Sequence, residues 1–147
     1  TFTYIDQGYQ SGCGLTTGSA IECWGHYANS SPTGTFTNLG IGHSHGCAVA
    51  SDASLTCWAS NVNGVRDVLT AMPTGSFTEV SSGLDSSCAI DTDGALHCWG
   101  LLGDTPNMGS YYPAYTSVDV GHDVICAEDQ LGGLQCWKAN GDWQYAP

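Results

Sequence analysis

Residues 95–100 read ALHCWG, and worn copies stand at 20–25 (AIECWG), 54–59 (SLTCWA) and 133–138 (GLQCWK). A catalytic motif has no reason to recur four times in 147 residues. A structural unit does, because every unit of a repeat fold needs the same packing groups. Working outward from ALHCWG, the cysteines set the register as Cys13/Cys23, Cys47/Cys57, Cys88/Cys98 and Cys126/Cys136, ten apart each time. Eleven residues before the first Cys of each pair stands an aromatic (Phe2, Phe36, Phe77, Tyr115), and Thr follows each one (Thr3, Thr37, Thr78, Thr116). Three after the aromatic comes an aliphatic (Ile5, Leu39, Val80, Val118), and five before the Cys a Gly (Gly8, Gly42, Gly83, Gly121).

Within one unit, CAIDTDGALHCWG carries apolar residues on both sides of Asp93-Gly94, a dipeptide suited to a tight hairpin turn. Folding the hairpin about Asp93 sets Cys88 opposite Cys98 and Ile90 opposite Leu96, on one face because strand side chains alternate. Directly opposed cysteines lie near the separation a disulfide needs. The same construction pairs Leu15 with Ile21 and Val49 with Leu55, whereas the fourth unit sets Glu128 against Leu134. Trp24, Trp58, Trp99 and Trp137 fall on the opposite face, so both faces of each hairpin are apolar and must be covered by neighbours. The aromatic-Thr segment supplies a further strand. The reading is an all-β propeller of four short, about three-stranded blades with one hairpin disulfide each, in a single domain with units 1–34, 35–75, 76–114 and 115–147.

Composition narrows the partners. Two basic residues, Arg66 and Lys138, stand against fourteen acidic ones, for a formal charge of −12. Phosphate backbones and anionic lipid are repelled, so neither nucleic acid nor membrane is an expected partner. Eight cysteines at regular spacing and no Cys-x-x-Cys read as disulfides made in an oxidising compartment, not as zinc sites. The expected location is extracellular, with any export signal already removed. Asn29-Ser30-Ser31 fits the N-glycosylation acceptor pattern.

The columns resemble propellers built from regulator-of-chromosome-condensation repeats, carried most clearly by GHSHGCAV at 42–49 with LTCW at 55–58, and by CAIDTDGALHCWG at 88–100. The family's His stands only at His45; Ser11, Ser86 and Val124 replace it. The short units look more like the bacterial β-lactamase-inhibitory branch than the longer eukaryotic nuclear repeats, and the nuclear nucleotide-exchange role does not carry over to a chain that reads as secreted. The resemblance implies about seven blades, whereas this chain has four. Because the repeat phase runs through both termini, either four blades close a small ring or two chains complete an eight-bladed one. The expectation is the closed monomer, with a symmetric homo-oligomer as the alternative.

No nucleophile elbow, phosphate-cradling loop or His-Glu-x-x-His is present, and Asp91 and Asp93 sit in a hairpin turn, so the chain reads as a binder needing no cofactor, not an enzyme. A scaffold repeats what it needs and varies what it binds with. The position after the Gly column holds Tyr9, His43, Leu84 and His122, and the next holds Gln10, Ser44, Asp85 and Asp123. In a ring these gather at one mouth, with His43 and His122 as a metal option beside Asp85 or Asp123, outweighed by simple solvated loops. Loop aromatics Tyr27, Tyr111, Tyr112, Trp143 and Tyr145 suit stacking on sugar rings or protein hot spots. The leading expectation is carbohydrate binding; a protein-binding inhibitor and a self-assembling structural subunit are the alternatives.

Overall fold

The computed structural model describes residues 1–26, 30–59, 69–100 and 114–138, together with the backbone of 143–145. Four antiparallel sheets follow one another along the chain: β1 (Phe2–Gln7), β2 (Ser11–Thr16) and β3 (Ile21–Gly25); β4 (Phe36–Ile41), β5 (His45–Ala50) and β6 (Leu55–Ala59); β7 (Phe77–Ser82), β8 (Ser86–Asp91) and β9 (Leu96–Gly100); then β10 (Tyr115–Val120), β11 (Val124–Asp129) and β12 (Leu134–Lys138). A short β13 (Trp143–Tyr145) pairs with β12 and gives the last sheet a fourth strand.

The cysteine register fixes the pairing. Cys13, Cys47, Cys88 and Cys126 stand directly opposite Cys23, Cys57, Cys98 and Cys136 and are bonded to them. Ile90 faces Leu96, and Glu128 faces Leu134, as the hairpin geometry requires. The Thr column now has a cause. In every unit the register shifts just after the aromatic, and the Thr hydroxyl in that bulge donates to a carbonyl on the second strand: Thr3 to Leu15, Thr37 to Val49, Thr78 to Ile90, Thr116 to Glu128, at 3.1–3.4 Å. The hydroxyl compensates for the ladder bond that the bulge forfeits.

Each sheet has two unlike faces. One carries the aromatic, the aliphatic and the Trp; the other carries the disulfide and the apolar pair beside it. The disulfide face of one unit packs on the aromatic face of the next, and three cores result. Leu15, Ile21 and Cys13 meet Phe36, Leu39, Ile41 and Trp58. Cys47, Val49 and Leu55 meet Phe77, Val80 and Trp99. Cys88, Ile90, Leu96 and Cys98 meet Tyr115, Val118, Val120 and Trp137.

A closed ring of four blades needs a fourth core, and the described residues form none. Phe2 is 44% exposed where Phe36 is 2%, and Ile5 is 65% exposed where Leu39 is 1%. Trp24, Leu134 and Val124 are exposed as well. The expectation of a closed four-bladed monomer is therefore corrected: the units form an open arc. A repeat phase that runs through both termini is satisfied equally by a closed ring and by an arc whose two ends remain apart.

The glycine column sets how closely neighbours approach. A Cβ on Gly8 would strike the carbonyl oxygen of Gly42; one on Gly42 would strike Gly83 O; one on Gly83 would strike Gly121 O. Units therefore meet backbone to backbone along this row, beside the innermost strands. Gly42→Ala is expected to cost about 1–3 kcal/mol of unfolding free energy by overpacking. Gly18→Ala, where the nearest outside atom is Thr16 Oγ1 at 3.8 Å, is expected to be near neutral. Denaturant unfolding of both variants checks the contrast.

Candidate functional site

The residue after each of these glycines leaves the first strand at the same end of the arc. Gln7–Tyr9, Ile41–His43, Ser82–Leu84 and Val120–His122 together line one open depression of about 240 Å³. Tyr9, His43, Leu84 and His122 thus share one mouth, drawn from all four units. The Tyr9 ring, 71% exposed, stacks on the His43 imidazole with centroids 4.8 Å apart and planes 25° from parallel. His43 Nδ1 lies 2.8 Å from Ser44 Oγ, and the His43 N–H donates to Gly83 O at 3.0 Å. His122 Nδ1 lies 2.8 Å from Asp123 Oδ1, both side chains exposed.

Gln10 and Asp85 do not line this depression, and Asp123 reaches it only through His122. Among the described residues, no three His, Cys, Asp or Glu side chains converge in a way that could hold a metal. Tyr27, Asn29, Tyr111 and Tyr112 lie outside the described residues, and Trp143 and Tyr145 are placed only as backbone in β13, opposite Trp137 and Gln135. Asp91 is a turn residue: its Oδ1 accepts the N–H groups of Asp93 and Ala95, and its Oδ2 lies 2.8 Å from His97 Nε2. Partial burial opposes ionisation of Asp91, but the bonds from His97, Ala95 and Asp93 outweigh it and hold the carboxyl below its usual range.

Below the mouth the inner strands present acids towards one another. Asp6 Oδ2 accepts the Ile41 N–H at 2.7 Å, and its Oδ1 accepts the Gln7 N–H. Burial nevertheless raises the Asp6 pKa; the two N–H bonds oppose that rise and the Asp119 carboxylate adds to it. Burial also raises the Tyr4 phenol, helped by Asp6, Glu79 and Asp119. The wall of the arc beneath the mouth is therefore negatively charged.

Sequence reasoning missed one polar cluster. His45 is fully buried between the second and third sheets, with Nε2 2.7 Å from Ser87 Oγ, which lies 2.9 Å from Ser82 Oγ. Nδ1 is buried with no partner. Ser82 and Ser87 occupy columns that hold Ile41 and Gly46 in the second unit, or Val120 and Ile125 in the fourth. The signal was there: both of these columns are polar only in the unit that receives the single His, the first unit having Gln7 and Gly12 there.

The comparisons fit this geometry. Residues 77–101, the third unit, match the family model described as "Regulator of chromosome condensation (RCC1) repeat". No curated protein sequence matches the chain. Among solved structures, the chain is similar to the ectodomain of the Physcomitrella patens receptor kinase CR4 (TM-score 0.76, 20% identity, 93% of this chain and 40% of that one). It is also similar to the CRINKLY WD40 ectodomain of the Arabidopsis thaliana receptor kinase ACR4 (0.75, 19%, 99% and 52%). A third is yeast RCC1 (Prp20) in its complex with Kap60 (0.68, 18%, 94% and 44%). The third unit thus matches an RCC1 repeat, and the chain as a whole has the fold of RCC1-like propellers, with one disulfide in each of its four sheets. It spans about half the length of those structures or less.

Burial holds the His45 imidazole well below its ordinary value, at about 4. A folded pKa depressed from about 6.5 means that the unfolded chain binds the extra proton first as pH falls. The contribution is complete above pH 6.5, is lost progressively from there down to about 4, and amounts to roughly 3 kcal/mol. His45→Gln should remove this slope, seen as the difference between the two proteins' unfolding free energies across pH 4–7.

Proposed function

We propose that the chain is a non-enzymatic extracellular binding module whose ligand is a protein, engaged at the mouth formed by Tyr9, His43, Leu84 and His122. The observation that carries this reading is the exposed Tyr9–His43 stack at the rim of an open depression fed by all four units. A rigid aromatic beside an aliphatic and imidazoles, on an open surface, is the composition of a protein contact. The formal charge of −12 favours a basic partner surface and a fast, salt-sensitive encounter. Among similar folds, yeast Prp20 was solved bound to Kap60, and its binding to Gsp1p and histones is described. Four disulfides suit an oxidising compartment.

Carbohydrate binding is the second reading, favoured by the accessibility of the Tyr9 ring, since sugar C–H faces stack on such rings. The discriminating measurement presents the purified chain to a glycan array and to an array of extracellular proteins, beside a Tyr9→Ala/His43→Ala variant. Protein hits that weaken at least tenfold in the variant, with the thermal midpoint nearly unchanged, are expected. Glycan hits lost in the same variant would replace the protein reading with a lectin; protein hits that the variant keeps would move the site away from the mouth.

A further inference from the structure

Across the middle seam, His45 of the second unit meets Ser82 and Ser87 of the third. The same columns hold Ser11 with Ile41 and Gly46 on the two sides of the first seam, and Ser86 with Val120 and Ile125 on those of the third. Ile41, Val120 and Ile125 all belong to buried apolar clusters. The middle seam keeps an apolar cluster of its own around Phe77, Val80 and Trp99, but at this inner end it is held by hydrogen bonds where the others are held by apolar area.

That polar end lies directly beneath the mouth. Ser82 lines the depression, and from its hydroxyl the contacts run 2.9 Å to Ser87 Oγ and on 2.7 Å to His45 Nε2. A Cβ on Gly42 would stand 2.8 Å from His45 Cε1 and 3.2 Å from Nδ1, and would strike Gly83 O. Gly83 O in turn accepts the His43 N–H, so that bond closes the floor of the mouth between the second and third units, with the imidazole against its underside. The Val80 N–H, donating to Asn38 Oδ1 at 2.9 Å, is a second bond across the same seam.

A neutral imidazole meets Ser87 through Nε2 and leaves Nδ1 without a partner. A second proton adds a charge and a buried N–H with no acceptor, a burden relieved only when water reaches the ring. The elements packed on it offer no compensation. β4 and β6 carry no charged residue. Glu79 of β7 is turned to Ser117 and the Val118 N–H of the fourth unit, Asp91 ends β8 in the turn beside His97, and the connections flanking the floor bear His43 and Asp85. Burial is the cause of the ring's lowered proton affinity, with no carboxylate offsetting it among the described residues. We propose that the middle seam is an acid-operated joint: a proton on His45 opens its inner end, parting Gly42 and His43 from Gly83 and Leu84 across the floor of the mouth, while the other two seams stay closed. One seam can open alone because each unit of a repeat fold packs only on its neighbours. That the joint governs recognition rests on the reading of the mouth as the place of binding; the opening itself does not.

Amide hydrogen exchange, followed by NMR on the 147-residue chain between pH 7 and pH 5, tests the joint with no binding partner present, so a mouth that binds nothing would leave the result standing. Protection of the His43 and Val80 amides, corrected for intrinsic exchange, is expected to fall about twentyfold over that range, the ratio implied by a ring held at about 4 when closed and about 6.5 when open. The Phe36 amide in the first seam and the Tyr115 and Val120 amides in the third, bonded to Ser19 O, Gly94 O and Ser81 Oγ, are expected to keep theirs. His45→Gln should abolish the difference. So should His45→Ser/Ser82→Val/Ser87→Ile, which copies into the middle seam the trio Ser86, Val120 and Ile125 already packed in the next and decides the matter if the single variant does not fold. Amides of all three seams that lose protection together mean global unfolding and overturn the proposal. Middle-seam amides unmoved down to pH 5 overturn it too, as does a loss that survives in the variants, which assigns the effect to another titrating group.

Discussion

A sheet of three short strands has two faces and too little chain to cover either, and the whole structure is arranged around that deficit. Neither face of any unit is stable in water alone, so each unit leans its disulfide face on the aromatic face of the next. The repeated residues follow from this one need. The Cys pair fastens the hairpin that presents a face, the Phe or Tyr and the Trp fill the seam, and the glycine lets the innermost strands approach until backbone touches backbone. The Thr hydroxyl repairs the bulge through which the first strand bends into position.

The seams are alike in plan but not in chemistry. Those between the first and second units and between the third and fourth carry bonds from backbone N–H groups to carboxylates, Ile41 to Asp6 and Val118 to Glu79, whereas the middle one buries an imidazole, His45, against Ser87 and Ser82. Burying an imidazole with one nitrogen unpartnered costs stability, and the cost is contained only while the ring stays neutral. In the middle seam the mutual hold of neighbouring units thus depends on an imidazole staying neutral.

Much of the fold was legible because it was written four times. Cysteines ten apart fix strand register without ambiguity, since a one-residue slip would send every partner to the other face; Leu15–Ile21, Val49–Leu55 and Ile90–Leu96 pair accordingly. Closure was not legible. Unbroken phase says that the ends are alike in pattern, and only the exposure of Phe2 and Ile5 says that they do not meet. The gathering of Tyr9, His43, Leu84 and His122 at one mouth required only that equal offsets mean equal heights. The next column lies mostly away from it, because adjacent residues turning out of a strand point differently. The part His45 plays was not legible because a lone His in a column of Ser and Val reads as a family remnant until the serines of the next unit are set beside it.

The mouth residues follow the glycine row directly, and that adjacency bears on what they can do. Gly8, Gly42 and Gly83 are each clamped against the next unit's carbonyl, so the backbone that launches His43 and Leu84 is held on both sides and that of Tyr9 on one. The His43 N–H is tied to Gly83 O as well. Side chains projecting from such a backbone lose little freedom when a ligand arrives, and that saved ordering cost appears as affinity. The scaffold's tightest packing thus lies immediately beneath its most variable column. Loops held only at their ends would offer the same residue types with a larger entropic penalty. That contrast favours the mouth as the proposed place of recognition, whatever the ligand.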